Sequence, residues 1–422
     1  MFFALGTIGT VPGLQDALLM LAERGFHVDL FVRGNRLYPP ADFKAARMSV
    51  TSDRPGIFGL GASSYPWWLF GHGRKPYSWV VSRIYYPAWR SLVFRRELRA
   101  KHRESPYHCV IALDSQALVD CAGYADDLGV PIVYWSLELI FKAGIRTKQQ
   151  LLMKEREVKL SREASLVIVQ DPWRGAALVS ENGLDPARVA YVPNAPRGHA
   201  RRRPASDLRV LLGIPPERTV VLCSGALAVW AASLDLVRSA GRWPHRFVLV
   251  MQSRASVAGR REVYLEEVRR ASDPESVRLL EKPVPAGHFR ALVDSADIGV
   301  ALYQPNVDGP DGSPDRNIEL MGYASGKIAT YLQSGLPVVT SGLVGLRDLA
   351  EGHGCGRCVE SADEVGDALE AIMADYEAFS AQACQVFDEY LELERQFEPV
   401  LDRIVDLDAT GSSCSGAEAR VR

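Results

Sequence analysis

Short apolar runs alternate with amphipathic helical stretches along this chain, and the alternation occurs twice. Residues 2–5 are apolar. Residues 14–24 put Leu14, Ala17, Leu18, Leu21 and Ala22 on one helical face, and residues 27–32 return to a strand pattern. The runs HCVIALDS (108–115), VPIVYWSLE (130–138), SLVIVQ (165–170) and VAYVPN (189–194) continue the series, with helical patterns over 117–128 and 151–164 between them. Short apolar runs without alternation read as strands buried on both faces. Strands joined through helices pair in parallel. The pattern restarts at 219: strands are expected at 219–225, 247–254, 277–281 and 297–303, with helices over 232–240, 264–270 and 286–295. The expected fold class is therefore α/β, with two Rossmann-like doubly wound domains.

A chain of 422 residues is too long for one typical domain. The division expected from the pattern is a first domain over 1–196, a linker over 197–209 and a second domain over 210–387. A helix over about 388–408 is expected to pack back on the first domain. Residues 409–422 (ATGSSCSGAEARVR) are small and polar and read as a disordered tail. The linker RGHARRRPASDLR is basic and aperiodic, and reads as a connection or surface loop rather than a nucleic-acid arm. Residues 34–90, with Trp67-Trp68 and Tyr85-Tyr86, read as an irregular piece of core, with the wall of an acceptor pocket as the other reading.

Composition removes several classes. The formal net charge is −2, so nothing favours nucleic acid or a strongly anionic surface as partner. No apolar run reaches the roughly 20 residues that span a bilayer, and residues 1–13 lack the basic and apolar regions of a signal peptide. Seven scattered cysteines suit a reducing cytoplasm. Cys355 and Cys358 have CxxC spacing but no second pair or histidine beside them, so no metal site is expected. The first turn, GTIGTVPG, does not match the dinucleotide fingerprint GxGxxG.

In doubly wound sheets, ligands sit at the carboxyl ends of strands. That singles out Asp114, Ser115, Ser136 and Glu138 in the first half. In the second half, residues 303–341 combine a polar loop, a helix opened by Ser325, Gly326 and Lys327, and the buried strand LPVV. A helix start with free N–H groups, a glycine and a lysine can seat an anion. From the residues alone, a capped helix with an exposed lysine explains the same pattern equally well.

Several stretches resemble GT-B glycosyltransferases, and most closely the retaining family 4 type. PGLQDALLMLAERGFHVDLFV is similar to the family's first helix and second strand. REASLVIVQDPW followed by VAYVPNAP is similar to the last strands before its linker. ADIGVALYQP, SGKIATYLQSGLPVVTS and GCGRCVESADEVGDAL are similar to its donor-binding half. The resemblance implies acceptor binding in the first domain, a nucleoside-diphosphate sugar (UDP or GDP) in the second, and transfer with retention in the cleft. It implies no cofactor beyond that donor and no obligatory metal. Lys327, the Ser325–Gly326 amides and Arg254 would then neutralise the diphosphate, with Gly225 allowing close backbone approach.

This chain departs from the family at three places. The first glycine turn of the donor half reads SGALAVWAAS and lacks the family's Arg and Lys. Of the family's two glutamates, the second falls at Thr330, where a ribose contact is usual. The first falls near Gly322, so Glu319, three residues earlier, is the candidate for the sugar hydroxyls. The family's histidine after the fourth strand is replaced by Ser136 and Glu138. If a general base is used, Glu138 and Asp114 are the candidates; each could instead cap a following helix. The alternatives are a sugar-nucleotide epimerase of the same fold and a degenerate, non-catalytic sugar-nucleotide binder. Ala, Arg and Gly outnumber Lys and Asn, which points to a GC-rich bacterial source and to specialised-metabolite or cell-surface glycosylation.

Overall fold

The computed structural model describes residues 2–4, 12–32, 48–52, 86–205, 207–253, 260–281, 284, 286–305 and 316–407. Most of the glycine turn at 6–13, most of the aromatic segment 34–90, Arg254 and the tail 409–422 lie outside the described residues.

Two parallel sheets carry the chain. The first contains β1 (Phe2–Ala4), β2 (Val28–Val32), β3 (Met48–Ser52), β4 (Val110–Leu113), β5 (Ile132–Trp135), β6 (Leu166–Val169) and β7 (Val189–Tyr191). Their spatial order is β3-β2-β1-β4-β5-β6-β7, all parallel. The second contains β8 (Thr219–Gly225), β9 (Phe247–Ser253), β10 (Val277–Leu280), β11 (Ile298–Ala301), β12 (Val338–Ser341) and β13 (Gly356–Val359). Their order is β10-β9-β8-β11-β12-β13, again parallel. Each sheet reverses its winding once, between β1 and β4 and between β8 and β11. The reversal opens a crevice at the carboxyl ends of the flanking strands.

Burial explains why the strands read as continuous apolar runs. Val110, Ile111, Ala112 and Leu113 of β4 are all buried, as are all seven residues of β9. Helices cover both faces. On one side of the first sheet, Leu98, Leu118, Cys121 and Leu178 pack on Val110, Tyr134 and Val167. The second sheet has the same two-sided cover, with Leu236, Val237, Leu369 and Ile372 on one face and Ile328, Leu332 and Phe387 on the other. The helix Lys148–Glu163 begins with a capping box: Gln150 N donates to Thr147 Oγ1 at 3.2 Å, and Thr147 N donates to Gln150 Oε1 at 3.1 Å.

The segment 34–90, read from the sequence as an irregular piece of core, contains the strand β3 and the start of the helix Tyr86–Glu104. That helix carries Arg95, Arg96, Arg99, Lys101 and Arg103, and Leu98 is buried to 1% exposure. Over residues 95–104 a single leucine stands among these cations, so almost no 3.6-residue apolar period can be read there.

Helix Leu393–Val405 crosses back to the first sheet. Phe397, Val400, Leu401 and Ile404 share one core with Leu14, Leu18 and Val133, and the Trp135 and Phe397 rings stack at 5.6 Å. His108 Nε2 lies 2.7 Å from the Ile404 carbonyl, and Arg403 donates to the carbonyls of Val189 and Ala187. The basic connection is equally well tied. Arg197 pairs with Glu23 and Glu394, both at 2.8 Å, and Arg209 pairs with Asp297 at 2.6 Å. Arg202 donates to the carbonyls of Asp294 and Ala296. Arg197 thus fastens the connection on the side of the first half, and Arg202 and Arg209 fasten it to the second, which is a different use from binding a polyanion.

Truncating the stacked anchor tests the return of this helix. Phe397→Ala removes a fully buried ring and is expected to cost about 3–5 kcal/mol by chemical denaturation. A loss under about 1 kcal/mol, the scale of a surface substitution, would contradict the packing described.

Candidate functional site

The helix Gly326–Gln333 follows β11, so its N-terminus opens at the carboxyl edge of the second sheet, at the winding reversal. Ser325 caps it, accepting from Ile328 N at 3.4 Å, and Ser325 Oγ lies 2.6 Å from Tyr303 Oη. Tyr331, fully buried on the same helix, accepts from Ser224 N at 2.8 Å and so fastens the helix to the end of β8. The next residue, Gly225, has φ +126°, a conformation other residues rarely adopt. A Cβ there would meet the Lys327 side chain at 3.8–3.9 Å. Gly225, Ser325, Gly326 and Lys327 therefore converge on one spot.

Two aromatic residues complete this cluster. Trp230 and Tyr303 stack at 6.2 Å with 16° between their planes. Lys327 Nζ lies 4.9 Å from the Tyr303 ring centre and 5.9 Å from that of Trp230. Among the described residues no carboxylate pairs with it. A π face holds an ammonium with about 0.5–2 kcal/mol and leaves its positive charge uncancelled. The aromatic pair comes partly from the glycine turn that lacks cations, SGALAVWAAS, and only the fold brings Trp230 to Tyr303.

Thr330 and Glu319 stand apart from this cluster. Thr330 points back into its own helix: Oγ1 donates to Gly326 O at 2.7 Å, and the residue is 7% exposed. Glu319 is exposed at the end of the one-turn helix Arg316–Glu319. Gly322, where the family's first glutamate falls, has no room for a side chain. A Cβ there would lie 2.9 Å from Asp171 Oδ2.

Across the cleft, Asp114 and Glu138 sit at the carboxyl edge of the first sheet. Asp114 starts the helix Asp114–Leu128 with φ +61°, a left-handed conformation that aspartate tolerates better than most residues. Its Oδ1 accepts from Leu137 N at 2.8 Å and from Glu138 N at 2.9 Å. Burial pushes its carboxyl up to about 7, against the pull of those two amides and of Arg174, and with the Glu138 charge adding to the rise. The residue keeps some exposure, so the enclosed part is the carboxyl itself. Ser136 is fully buried beside it, and Ser115 is 6% exposed. Glu138 is exposed and accepts a hydrogen bond from Asn317 Nδ2 of the second half.

Three residues that the sequence did not single out bind the two halves here. Asp171 caps the helix Pro172–Asn182, and its second oxygen accepts from Tyr323 N at 3.2 Å. Arg174, 1% exposed, donates to Leu137 O and to Asn317 Oδ1, both at 2.7 Å. Asn194 N donates to Tyr323 O at 2.8 Å, and Asn194 Nδ2 to Ala324 O at 3.2 Å. The Asp-Pro pair in QDPWR signals a helix start, but no local signal shows that the same carboxylate reaches residue 323.

The cysteine pair lies elsewhere. Cys355 donates to Leu349 O at 3.1 Å, and burial pushes both thiols up to about 12, which disfavours the thiolate that metal binding or exchange needs. No group of three or more metal-ligating side chains occurs among the described residues.

A raised carboxyl has a signed consequence. The folded state keeps the Asp114 proton to a higher pH than the unfolded chain does. Its contribution is therefore fully present below about 4 and is lost as pH rises toward about 7. Asp114→Asn keeps an acceptor for both amides without the charge. It is expected to melt above the unmodified protein at pH 8, with a gap that narrows toward pH 4; equal gaps at both values would contradict the burial of this charge.

Residues 9–195 match the family profile of the glycosyl transferase 4-like domain. No curated protein matches the chain in sequence. Among solved structures, HepE of Anabaena in complex with UDP superposes with a TM-score of 0.65 at 15% identity, covering 96% of this chain and 99% of its own. Sucrose-phosphate synthase of Thermosynechococcus elongatus gives 0.66 at 15% identity, covering 98% and 99%. The trehalose 6-phosphate synthase of Burkholderia multivorans gives 0.62 at 15%, covering 100% and 98%. The chain thus has the GT-B glycosyltransferase fold, and its N-terminal half matches the glycosyl transferase 4-like domain family.

Proposed function

We propose that this protein transfers a sugar from a nucleoside-diphosphate sugar, with UDP as the preferred carrier, to an acceptor held by the first half. The observation that carries this reading is the Lys327 ammonium at a helix N-terminus, packed over Gly225 at the winding reversal of the second sheet. The Ser325 amide, expected to face the diphosphate, is instead taken by Gly322 O at 3.1 Å; the Gly326 and Lys327 amides, the helix dipole and the uncancelled cation remain to suit a diphosphate. HepE, of the same fold, binds UDP and UDP-glucose.

In the proposed reaction the bond from the sugar's anomeric carbon to the phosphate oxygen breaks, and the electron pair leaves with UDP. The acceptor oxygen bonds to that carbon on the same face, giving retention. Its proton passes to the departing phosphate or to Asp114, whose pKa near 7 suits proton transfer at neutrality. Glu138 is engaged by Asn317, which makes Asp114 the better placed of the two acids. Lys327 and the helix amides stabilise the charge that develops on the leaving group, a role that needs no metal. No described helix is long and apolar enough to cross a membrane. The free cysteines among the described residues suit a reducing cytoplasm, where we place the reaction. The missing cations of the glycine turn support a second reading, a non-catalytic sugar-nucleotide binder. An epimerase would use the Asp114–Glu138 pair and release an isomerised sugar.

Lys327→Ala is expected to lower UDP-sugar turnover about 10²–10³-fold, the usual effect of removing one contact to transition-state charge. UDP should raise the melting temperature of the unmodified protein. Near-normal turnover in the variant would overturn the assignment. An isomerised sugar, or UDP binding without any turnover, would favour the epimerase or the binder instead.

A further inference from the structure

One side chain of the second half touches the support of the acid in the first. Asn317 Oδ1 accepts from Arg174 Nη2 at 2.7 Å and from Leu139 N at 3.1 Å, and its Nδ2 donates to Glu138. Arg174 also donates to Leu137 O at 2.7 Å. Residues 137–139 are therefore gripped at three successive positions, two of them directly by Asn317. The same turn supplies both amides that orient Asp114, Leu137 N at 2.8 Å and Glu138 N at 2.9 Å. Asn317 in turn sits eight residues before the capping Ser325, on a segment whose Tyr323 N–H and C=O are held by Asp171 and Asn194.

We propose that Asn317 is a cross-cleft positioning residue: through the 137–139 turn it sets the orientation of Asp114 from the donor half. Docking the donor segment against the first half would then align the acid with the sugar of a donor whose diphosphate sits at Lys327. An acid aligned only when both halves are docked protects the donor from premature attack by water. This proposal rests on the donor reading given above.

The donor and acceptor directions of the Asn317–Glu138 bond supply the test. Asn317→Asp keeps both acceptor functions toward Arg174 and Leu139 N, but sets two carboxylates against each other. Adding Glu138→Gln restores the bond with its direction reversed. The readout is UDP release by the unmodified protein and variants, using whichever UDP-sugar of a panel the unmodified protein hydrolyses fastest. Asn317→Asp is expected to lower kcat about 10–100-fold through misalignment, with donor KM and the UDP-induced thermal shift nearly unchanged. The double variant should regain most of that loss. Asn317→Ala serves as a second reading if the aspartate variant does not fold, with a similar kcat loss and unchanged UDP binding. Unchanged kcat in the single variants, or a double variant that binds UDP and stays inactive, would overturn the positioning role alone. An unmodified protein that neither binds UDP nor turns over any UDP-sugar would overturn the donor reading and this role with it.

Discussion

The hydrogen bonds that Asp171, Arg174 and Asn194 make to residues 317–324 hold together everything that could do chemistry here. Asp171 is fully buried, and burial raises its carboxyl even against three backbone N–H groups and the Arg174 charge. A carboxylate in that position is tolerated because amides from both halves satisfy it. Removing one partner would leave the other desolvated, so the contact is cooperative rather than a sum of pairs. It also explains Gly322. The place where the family carries a glutamate is filled by the neighbouring half, and no side chain fits without moving Asp171.

The helix Gly326–Gln333 is held at both ends as a result. Its N-terminal approach is stapled at Tyr323 and Ala324. Its C-terminal Gln333 donates to the carbonyls of Arg197 and Gly198, and Arg201 N donates back to Gln333 O at 2.9 Å. A helix N-terminus serves as an anion seat only if its orientation survives the approach of the ligand, and the linker and the first half supply that rigidity. The cation in the seat is secured differently. Aromatic faces from Trp230 and Tyr303 position Lys327 without consuming its charge, as a carboxylate would.

Much of this was legible in the residues. Gly225, Ser325, Gly326 and Lys327 were recognisable because a glycine turn and a capped helix start are local patterns, each fixed by a few neighbouring residues. Asp114 and Glu138 were recognisable as polar ends of apolar runs. The role of Thr330 was not, because a hydroxyl at a helical position bonds its own i−4 carbonyl only if nothing outside competes. Asn317, Arg174 and Asp171 were hidden for a simpler reason. Their partners lie 143 to 179 residues away in the chain for Asn317, and 152 for the Asp171–Tyr323 contact. The C-terminal part of the helix Tyr86–Glu104 was hard to read because Leu98 is the one large apolar residue between Arg95 and Glu104 and leaves no period to detect there.

By itself the sequence determined the parallel α/β class, because two-face burial requires strands that are apolar at every position, and the repetition of that pattern, because each sheet needs its own set of such strands. It also determined where a helix could begin with a glycine and a cation. The tertiary structure alone decided which acid is buried, which is tied across the cleft and which cation meets aromatic faces with no carboxylate partner among the described residues. Those properties depend on desolvation and on charges from distant segments, and neither exists until the two halves have packed against each other.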